Sequence, residues 1–312
     1  MRRDVGNAIL QTHSAWGKRA PLCNLGYFQL EFATMTEFQT FTRQDHAGVA
    51  IVSFDHPPIN LVDRAMVIDL MRLVRDLEND VQTRVVIFRS ANPEFFLAHF
   101  DLGSQLDQPP MTLLPGTASP LSVLFTRFSR LHQVTIGELR GRARGAGSEF
   151  LLALDMRFAA LETAVLGQPE VAVGLLPGAG GTVRLTQMLG RARALEVCLG
   201  GEDFDASTAE RYGWINRALP ESQLSGFCND LARRIAGFPG SGIAHIKAVV
   251  DDVSAASEKA LIDESQRFVP GMNEQETISR VRWMLGQGGQ SDGDMERNLG
   301  DRLGRFSQSP GE

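Results

Sequence analysis

The sequence of 312 residues is poor in lysine and cysteine and contains no long apolar run. Three lysines stand against 28 arginines, and the formal net charge is −6, which argues against general nucleic-acid or membrane-surface binding. No apolar run reaches the roughly 18 residues of a membrane-spanning helix. The three cysteines are an odd number without CxxC spacing, which is typical of a reducing compartment. We therefore expect a cytoplasmic protein with no nucleic-acid or membrane partner.

Several catalytic motifs are also missing. The chain has no phosphate-binding P-loop, no GxGxxG turn between a strand and a helix, no HExxH and no GxSxG. Its six histidines are scattered, without the spacing of metal ligands. The sequence therefore predicts no metal site.

The two ends of the chain differ from the middle. Residues 1–34 have no sustained periodicity, and Arg2 and Arg3 are not followed by the apolar stretch of a secretory signal. We interpret them as a flexible N-terminal extension, with a mitochondrial transit peptide as the alternative. Residues 287–312 are rich in Gly, Ser, Gln and Asp, which indicates a disordered tail.

Between these ends, strand and helix patterns alternate and then give way to helices. Strands are predicted at 49–54, 84–89, 134–139, 156–160 and 164–167, with a helix after Asp63, a loop at 103–119 and a helix at 120–131. After about residue 182, helical segments dominate up to residue 285. We expect an α/β core at 35–200 and a helical C-terminal region at 201–286.

The clearest chemical signal is the run Gly145-Ala146-Gly147-Ser148-Glu149, which follows a strand and enters a helix. Glycines allow backbone to approach a ligand closely, and the first N–H groups of a helix lack partners within that helix. Such an N–H can stabilise negative charge on a carbonyl oxygen. Glu149 lies about one turn into the helix, close to the same oxygen.

A second carboxylate, Glu170, follows in the turn Gly167-Gln168-Pro169-Glu170. Two carboxylates beside a polarised carbonyl suit acid–base chemistry at the carbons α and β to it. Each also has a simpler interpretation, because Glu149 can be a helix-start stabiliser and Glu170 a solvated turn residue.

The ordered series of motifs resembles the enoyl-CoA hydratase/isomerase (crotonase) superfamily. The resemblance covers about residues 38–285 and is strongest from the Gly-rich turn with Glu149, through Gly-Gln-Pro-Glu, to Pro177-Gly-Ala-Gly-Gly-Thr182. It implies an α/β fold with a ββα spiral core and a helical C-terminal region. It also implies an acyl-CoA thioester as substrate and a homo-trimer or a dimer of trimers.

The resemblance further implies a role for each site residue. The backbone N–H groups of Phe100 and Ala146 would hold the thioester carbonyl, Glu149 would activate water, and Glu170 would protonate the α-carbon. No metal or redox cofactor is needed, since coenzyme A is part of the substrate. The remaining residues assigned to substrate binding are Ala98, His99, Asp101, Gly145, Gly147 and Pro169. The sequence departs from the family's usual glycine at His99, its small residue at Phe100 and its middle glycine at Ala146.

These motifs favour a hydratase that adds water across a trans-2-enoyl-CoA. The alternatives are an enoyl-CoA isomerase of the same superfamily and a non-catalytic acyl-CoA-binding member. A further alternative is RNA binding, which the alternating arginines Arg140, Arg142 and Arg144 suggest. Three arginines on an acidic chain are weak support for it.

Overall fold

The computed structural model describes residues 37–305, which form an α/β structure around two sheets. The predicted extension at 1–34 and the last seven residues lie outside the described part of the chain. Within residues 37–305 no helix is long and apolar enough to cross a membrane.

The larger sheet has six strands in the order β1-β2-β3-β5-β7-β10. Their bounds are β1 Phe41–His46, β2 Val49–Phe54, β3 Val85–Ser90, β5 Val134–Leu139, β7 Met156–Ala160 and β10 Arg217–Leu219. β1 pairs antiparallel with β2, and every other pair in this sheet is parallel. β3 and β5 are buried β-branched runs, as expected for parallel strands covered on both faces.

The smaller sheet has four short strands in the order β4-β6-β8-β9. They are β4 Phe95–Leu97, β6 Arg142–Arg144, β8 Val165–Gly167 and β9 Asp203–Asp205. The first three run parallel, and β9 is antiparallel to β8. Parallel strands bring their carboxyl ends to one edge, and the site lies at that edge.

Successive pairs of strands contribute one strand to each sheet and then lead into a helix. β3 and β4 precede α2 (Pro120–Ser129), β5 and β6 precede α3 (Ala146–Leu152), and β7 and β8 precede a 3₁₀ helix (Glu170–Val173) and α4 (Gly181–Leu189). This repetition is the predicted ββα spiral.

The helix predicted after Asp63 is α1 (Arg64–Asn79). The Asp63 side chain accepts the Met66 N–H at 2.9 Å and caps the helix. Most apolar side chains of this helix are buried in the core, with Leu70 and Leu77 among them. Sequence periodicity and the cap together determine this element.

Phenylalanines pack together in the main hydrophobic core, and Phe150 contacts several of them. Its ring lies 5.1 Å from that of Phe88 and 5.2 Å from that of Phe128, both edge-on. Phe54 and Phe125 also contact it, at 5.8 and 5.5 Å. Because Phe150 follows Glu149 directly, this packing fixes α3 and the position of the Glu149 backbone.

The C-terminal half is mostly helical, as predicted. Its helices are α5 Arg191–Gly200, α6 Ala206–Tyr212, α7 Glu221–Ala236, α8 Gly240–Ser254, α9 Glu258–Met272 and α10 Gln275–Gly286. The boundary expected at residue 200 is wrong, because β9 and β10 extend both sheets beyond it and α7 packs on β3, β5 and β7. These strands have three residues each, which is too short for an alternating pattern to show.

The tail expected to be disordered from residue 287 is instead folded up to residue 305. It contains α11 (Asp294–Arg297) and α12 (Leu299–Leu303). Met295, Leu299 and Leu303 recur every four residues and are buried. The polar composition of the segment hid this helical spacing, and burial of the three side chains offsets the cost of ordering it.

Candidate active site

Three parallel strands of the smaller sheet end side by side. The Arg144 N–H donates to the Ala98 carbonyl at 3.0 Å, and the Gly145 N–H donates to the Gly167 carbonyl at 3.0 Å. The turns after β4, β6 and β8 are therefore neighbours. They carry the residues that the sequence assigned to carbonyl binding and to the second carboxylate.

Glycine is required at two positions of the turn after β6. Gly145 has φ +47°, and a Cβ there would lie 2.9 Å from Glu170 Oε1. The Glu170 carboxylate thus lies directly over the Gly145 backbone. A Cβ at Gly147 would lie 2.0 Å from the Leu97 carbonyl oxygen, so the start of α3 packs against β4 at backbone distance.

Two backbone N–H groups at this edge have no acceptor among residues 37–305. Phe100 forms a parallel bridge with Val62 in which His99 O and Asp101 N make the hydrogen bonds. The Phe100 N–H is therefore directed away from Val62. Ala146 is the first residue of α3, where N–H groups have no partner within the helix. Both residues line the same cavity.

Glu149 is buried in α3, and one of its carboxylate oxygens is fully engaged. Oε1 accepts the Ala179 N–H at 2.7 Å and the Gly181 N–H at 2.8 Å. Oε2 has no hydrogen-bond partner among the described residues, and Glu149 lines the cavity. Burial and the charge of Glu264 raise the pKa of Glu149 to about 8, although the two amides oppose that shift.

Glu170 opens the 3₁₀ helix after β8 and faces the same cavity. Burial and the charge of Glu149 raise its pKa well above the usual range. The terminal amide of Gln168 lies 3.1 Å from both carboxylate oxygens. Its nitrogen can donate to an ionised carboxylate and its oxygen can accept from a protonated one, so Gln168 fits both states of Glu170.

The cavity has a volume of about 840 Å³ and mostly apolar walls. The loop at 103–119, α2, α9 and the C-terminal helices enclose it, and the large apolar side chains on its walls include Met111, Leu121, Phe268, Met284, Leu299 and Leu303. Glu149 and Glu170 thus lie beside a mostly apolar space.

Eight of the ten residues assigned to the site from sequence line this cavity. They are His99, Phe100, Asp101, Gly145, Ala146, Glu149, Pro169 and Glu170. Ala98 and Gly147 lie behind its wall, because Ala98 is bonded to Arg144 and to Asn60 and Gly147 packs on Leu97. Asp101 Oδ1 accepts the Ser104 N–H at 3.0 Å and so shapes the loop that follows.

His99 joins the strand end to the C-terminal segment. Its Nδ1 lies 2.9 Å from the Phe100 carbonyl oxygen and its Nε2 lies 3.1 Å from Glu296 Oε1 in α11. Burial opposes a charge on the ring, but the Glu296 carboxylate outweighs it and raises the pKa of His99. His99 therefore contributes to the wall and to the attachment of α11.

Arg140, Arg142 and Arg144 are occupied by protein groups. Arg140 pairs with Glu138, Arg144 pairs with Asp203, and the Arg142 Nε–H donates to the Arg297 carbonyl oxygen at 2.9 Å. Arg144 is 1% exposed in its side chain, so it cannot meet a phosphate backbone. Nothing in this arrangement favours RNA binding.

Sequence reasoning missed four residues that shape the site. Gln168 contacts Glu170, Glu264 and Arg184 contact the turn that holds Glu149, and Glu296 contacts His99. Gln168 stands in the motif already singled out, so its proximity was a usable signal. Glu264 and Glu296 lie more than 80 residues away from their partners, and no local pattern marks them.

The fold and the site together define a class of protein with a ββα spiral and a cavity lined by two buried carboxylates and by two residues whose backbone N–H groups have no acceptor in the described part of the chain. A sequence profile of the enoyl-CoA hydratase/isomerase family matches residues 44–280. The chain belongs to this family, whose members act on acyl-CoA thioesters.

Individual relatives agree with this assignment. The chain is 27% identical over 237 residues to a carnitinyl-CoA dehydratase of Citrobacter koseri, covering 75% of this chain and 87% of that protein. It is 26% identical over 236 residues to a short-chain-enoyl-CoA hydratase of Clostridium acetobutylicum, covering 74% and 89%. A crystal structure named as a "putative enoyl-CoA hydratase" from Streptomyces avermitilis is 41% identical, with a TM-score of 0.81 and coverage of 87% and 99%.

Proposed function

We propose that this protein is an enoyl-CoA hydratase that adds water across a trans-2-enoyl-CoA. One observation carries the proposal: the wall that holds two unpartnered N–H groups also holds two buried carboxyls whose pKa values are both raised. Hydration needs a base for water, an acid for the α-carbon and donors for the thioester oxygen. No cofactor is required beyond the coenzyme A of the substrate.

In the proposed reaction, the Phe100 and Ala146 N–H groups donate to the thioester carbonyl. Glu149 Oε2 takes a proton from water, and the water oxygen bonds to the β-carbon. The electrons of the double bond pass to the thioester, giving an enolate whose negative oxygen the two N–H groups stabilise. Glu170 gives its proton to the α-carbon, and proton transfer from Glu149 to Glu170 through solvent resets the pair.

Substitution of each glutamate tests this assignment. Glu149→Gln and Glu170→Gln should each reduce the hydration of a short trans-2-enoyl-CoA by about 10²–10⁴-fold, because each removes one proton-transfer group. Product mass in heavy-oxygen water shows whether water oxygen is incorporated. Asp107→Asn, in the loop at 103–119, is a control that removes a nearby carboxylate outside the cavity wall and should retain full activity.

The same assay separates the alternatives. Incorporation of solvent deuterium without added oxygen would indicate an enoyl-CoA isomerase. Tight acyl-CoA binding with no turnover of enoyl, 3-hydroxyacyl or 3-enoyl thioesters would indicate a non-catalytic member. Full hydratase activity in both glutamine variants would refute the mechanism.

We also propose a homo-oligomer, a trimer or a dimer of trimers, in a reducing, cytoplasmic compartment. Helix α8 supports the assembly, because none of its residues is buried and Ile246, Val249 and Val253 are 70%, 65% and 84% exposed. An apolar face of this extent on one helix is typical of a protein–protein contact. The two described cysteines, Cys198 and Cys228, are both free, which suits a reducing compartment.

A further inference from the structure

A third buried glutamate, Glu264, lies on the far side of the turn that holds Glu149. It belongs to α9 in the C-terminal helical region and is 4% exposed. Its Oε1 accepts the Gly180 N–H at 2.5 Å, and its Oε2 contacts the Thr182 hydroxyl and accepts the Val183 N–H at 3.2 Å. It does not line the cavity, so substrate cannot reach it.

Glu149 and Glu264 hold the same turn through alternating groups. Glu149 takes the N–H groups of Ala179 and Gly181, and Glu264 takes that of Gly180, which lies between them. The turn begins α4, whose N-cap residue is Gly180, and a glycine has no side chain that could accept the first N–H groups of the helix. Two carboxylates from other elements therefore satisfy the amides that a local cap would satisfy.

The turn cannot move away from Glu264 without displacing the donors of Glu149. Arg184 ties its other side, because its Nη1 donates to the Ala179 carbonyl oxygen at 2.9 Å. The orientation of the Glu149 carboxylate, and with it the direction of the unpartnered Oε2, depends on this clamp.

We infer that Glu264 is a positioning residue for Glu149, which fixes the amides that orient the Glu149 carboxylate and places a like charge behind it. This inference rests on the proposed role of Glu149. The charged or titratable groups facing Glu149 are Glu170 from the 3₁₀ helix, Glu264 from α9, Arg184 from α4 and Cys198 from α5. Burial and the nearby carboxylates raise the pKa of Cys198 to about 12, which keeps the thiol neutral. The charge of Arg184 opposes the effect of Glu264 on the pKa of Glu149.

The Glu264→Gln variant tests both parts of the inference. Loss of one anchoring acceptor should lower the plateau kcat for hydration about tenfold or more, with KM unchanged because residue 264 is outside the cavity. Loss of the negative charge at residue 264 should lower the pKa of Glu149. The rise of the hydration rate with pH (the acid limb of the pH–rate profile), which follows ionisation of Glu149, should therefore occur at a pH about one unit lower than in the wild type. Glu264→Asp keeps the charge and shortens the reach, so kcat should fall while the limb stays in place.

Asp263→Asn is the matched control, because this neighbouring acid on α9 faces solvent and pairs only with Lys259 among the described residues. It should change neither kcat nor the limb. Thermal unfolding verifies that each variant is folded. If Glu264→Gln does not fold, Thr182→Val removes one donor to Glu264 and should lower kcat severalfold at unchanged KM.

The outcomes separate this inference from the proposed function. If Glu149→Gln retains full activity, the proposed function fails. If Glu149→Gln is inactive while folded Glu264→Gln, or Thr182→Val in its place, has the wild-type kcat and pH profile, the inference alone is overturned. A Glu264→Gln variant that is less stable but has the wild-type kcat and pH profile would also overturn the inference. Such a result would show that Glu264 only caps α4 and does not position Glu149.

Discussion

Gly147→Ala is a severe test of how the start of α3 is built, because the added atom meets backbone. A Cβ at residue 147 would lie 2.0 Å from the Leu97 carbonyl oxygen, 2.8 Å from the carbonyl carbon and 3.0 Å from the Leu97 Cβ. Real contacts of this kind are about 1 Å longer. Either α3 or β4 must move by roughly that distance, and neither has room, since Phe150 and Leu97 are both fully buried.

The expected cost follows from that overlap. Overpacking of a tight core costs about 1–3 kcal/mol, and we expect the upper end because backbone cannot turn aside as a side chain would. For a domain of this size a loss of about 3 kcal/mol corresponds to a Tm lower by roughly 6–10 °C. A shift of 1 Å between the Ala146 N–H and the Phe100 N–H should also reduce kcat for hydration by about 10²-fold.

Thermal unfolding and steady-state hydration of a short enoyl-CoA measure the two effects separately. Gly226→Ala in α7 is the control, because a Cβ there would meet nothing within 4 Å. Alanine should stabilise that helix by about 0.5–1 kcal/mol and leave kcat unchanged. A Gly147→Ala protein with wild-type Tm and kcat would refute the close packing of α3 on β4 and the placement of the Ala146 amide.

Two further predictions concern the C-terminal half. Although burial opposes both charges, the His99–Glu296 pair raises the pKa of His99 and lowers that of Glu296. His99 therefore contributes its full stabilisation below about pH 6.5, and this contribution is lost as the pH rises through the pKa of His99 in the folded protein. Glu296 contributes its full stabilisation above about pH 4.5, and this contribution is lost as the pH falls through the pKa of Glu296 in the folded protein. Glu296→Gln should thus lower the free energy of unfolding by about 3 kcal/mol near pH 5.5 and by less at pH 9, as measured by thermal unfolding. The control Glu276→Gln, in an exposed pair with Arg280, should lower it by under 1 kcal/mol at either pH. A loss of stability in Glu296→Gln that does not change with pH would contradict the pairing. The double substitution Val249→Glu and Val253→Glu on α8 should reduce the mass found by light scattering to that of one folded chain. The control Val81→Glu, at another exposed valine, should leave the mass unchanged. An unaltered mass in the α8 variant would show that this helix is not part of the interface.

The sequence predicted the middle of the chain well because its signals there are local. Strands β2 and β5 coincide with their predicted ranges, and α1 begins at the expected cap. Residues 145–182 hold both carboxylates and one of the two N–H groups, because consecutive ββα units place the ends of parallel strands next to each other. A short motif therefore encodes most of a three-dimensional arrangement.

The elements that the sequence analysis missed depend on contacts between distant segments. β1 is a polar edge strand whose one local signal was the turn at Ala47 and Gly48, both with positive φ. α11 and α12 look disordered by composition and fold because three apolar side chains find a partner surface. Glu264 and Glu296 acquire their roles only when α9 and α11 dock, so propensity and spacing could not reveal them.

The different surroundings of Glu149 and Glu170 explain how two residues of one type can serve as base and acid. Burial raises the pKa of both carboxyls, and the charge of Glu149 raises the pKa of Glu170 further, so near neutral pH the pair does not lose both protons freely. Two backbone N–H groups at the start of α4 donate to Glu149 and favour its ionised form. The side-chain amide of Gln168, in contrast, can form a hydrogen bond with either the ionised or the protonated form of Glu170. The proposed reaction therefore assigns the proton to Glu170, which faces the α-carbon, and the negative charge to Glu149, which faces the water. The carboxyl that contacts the start of α4 would then act as the base, and the other carboxyl would act as the acid. Removing that contact should reduce the difference between the two roles before it weakens binding of the thioester.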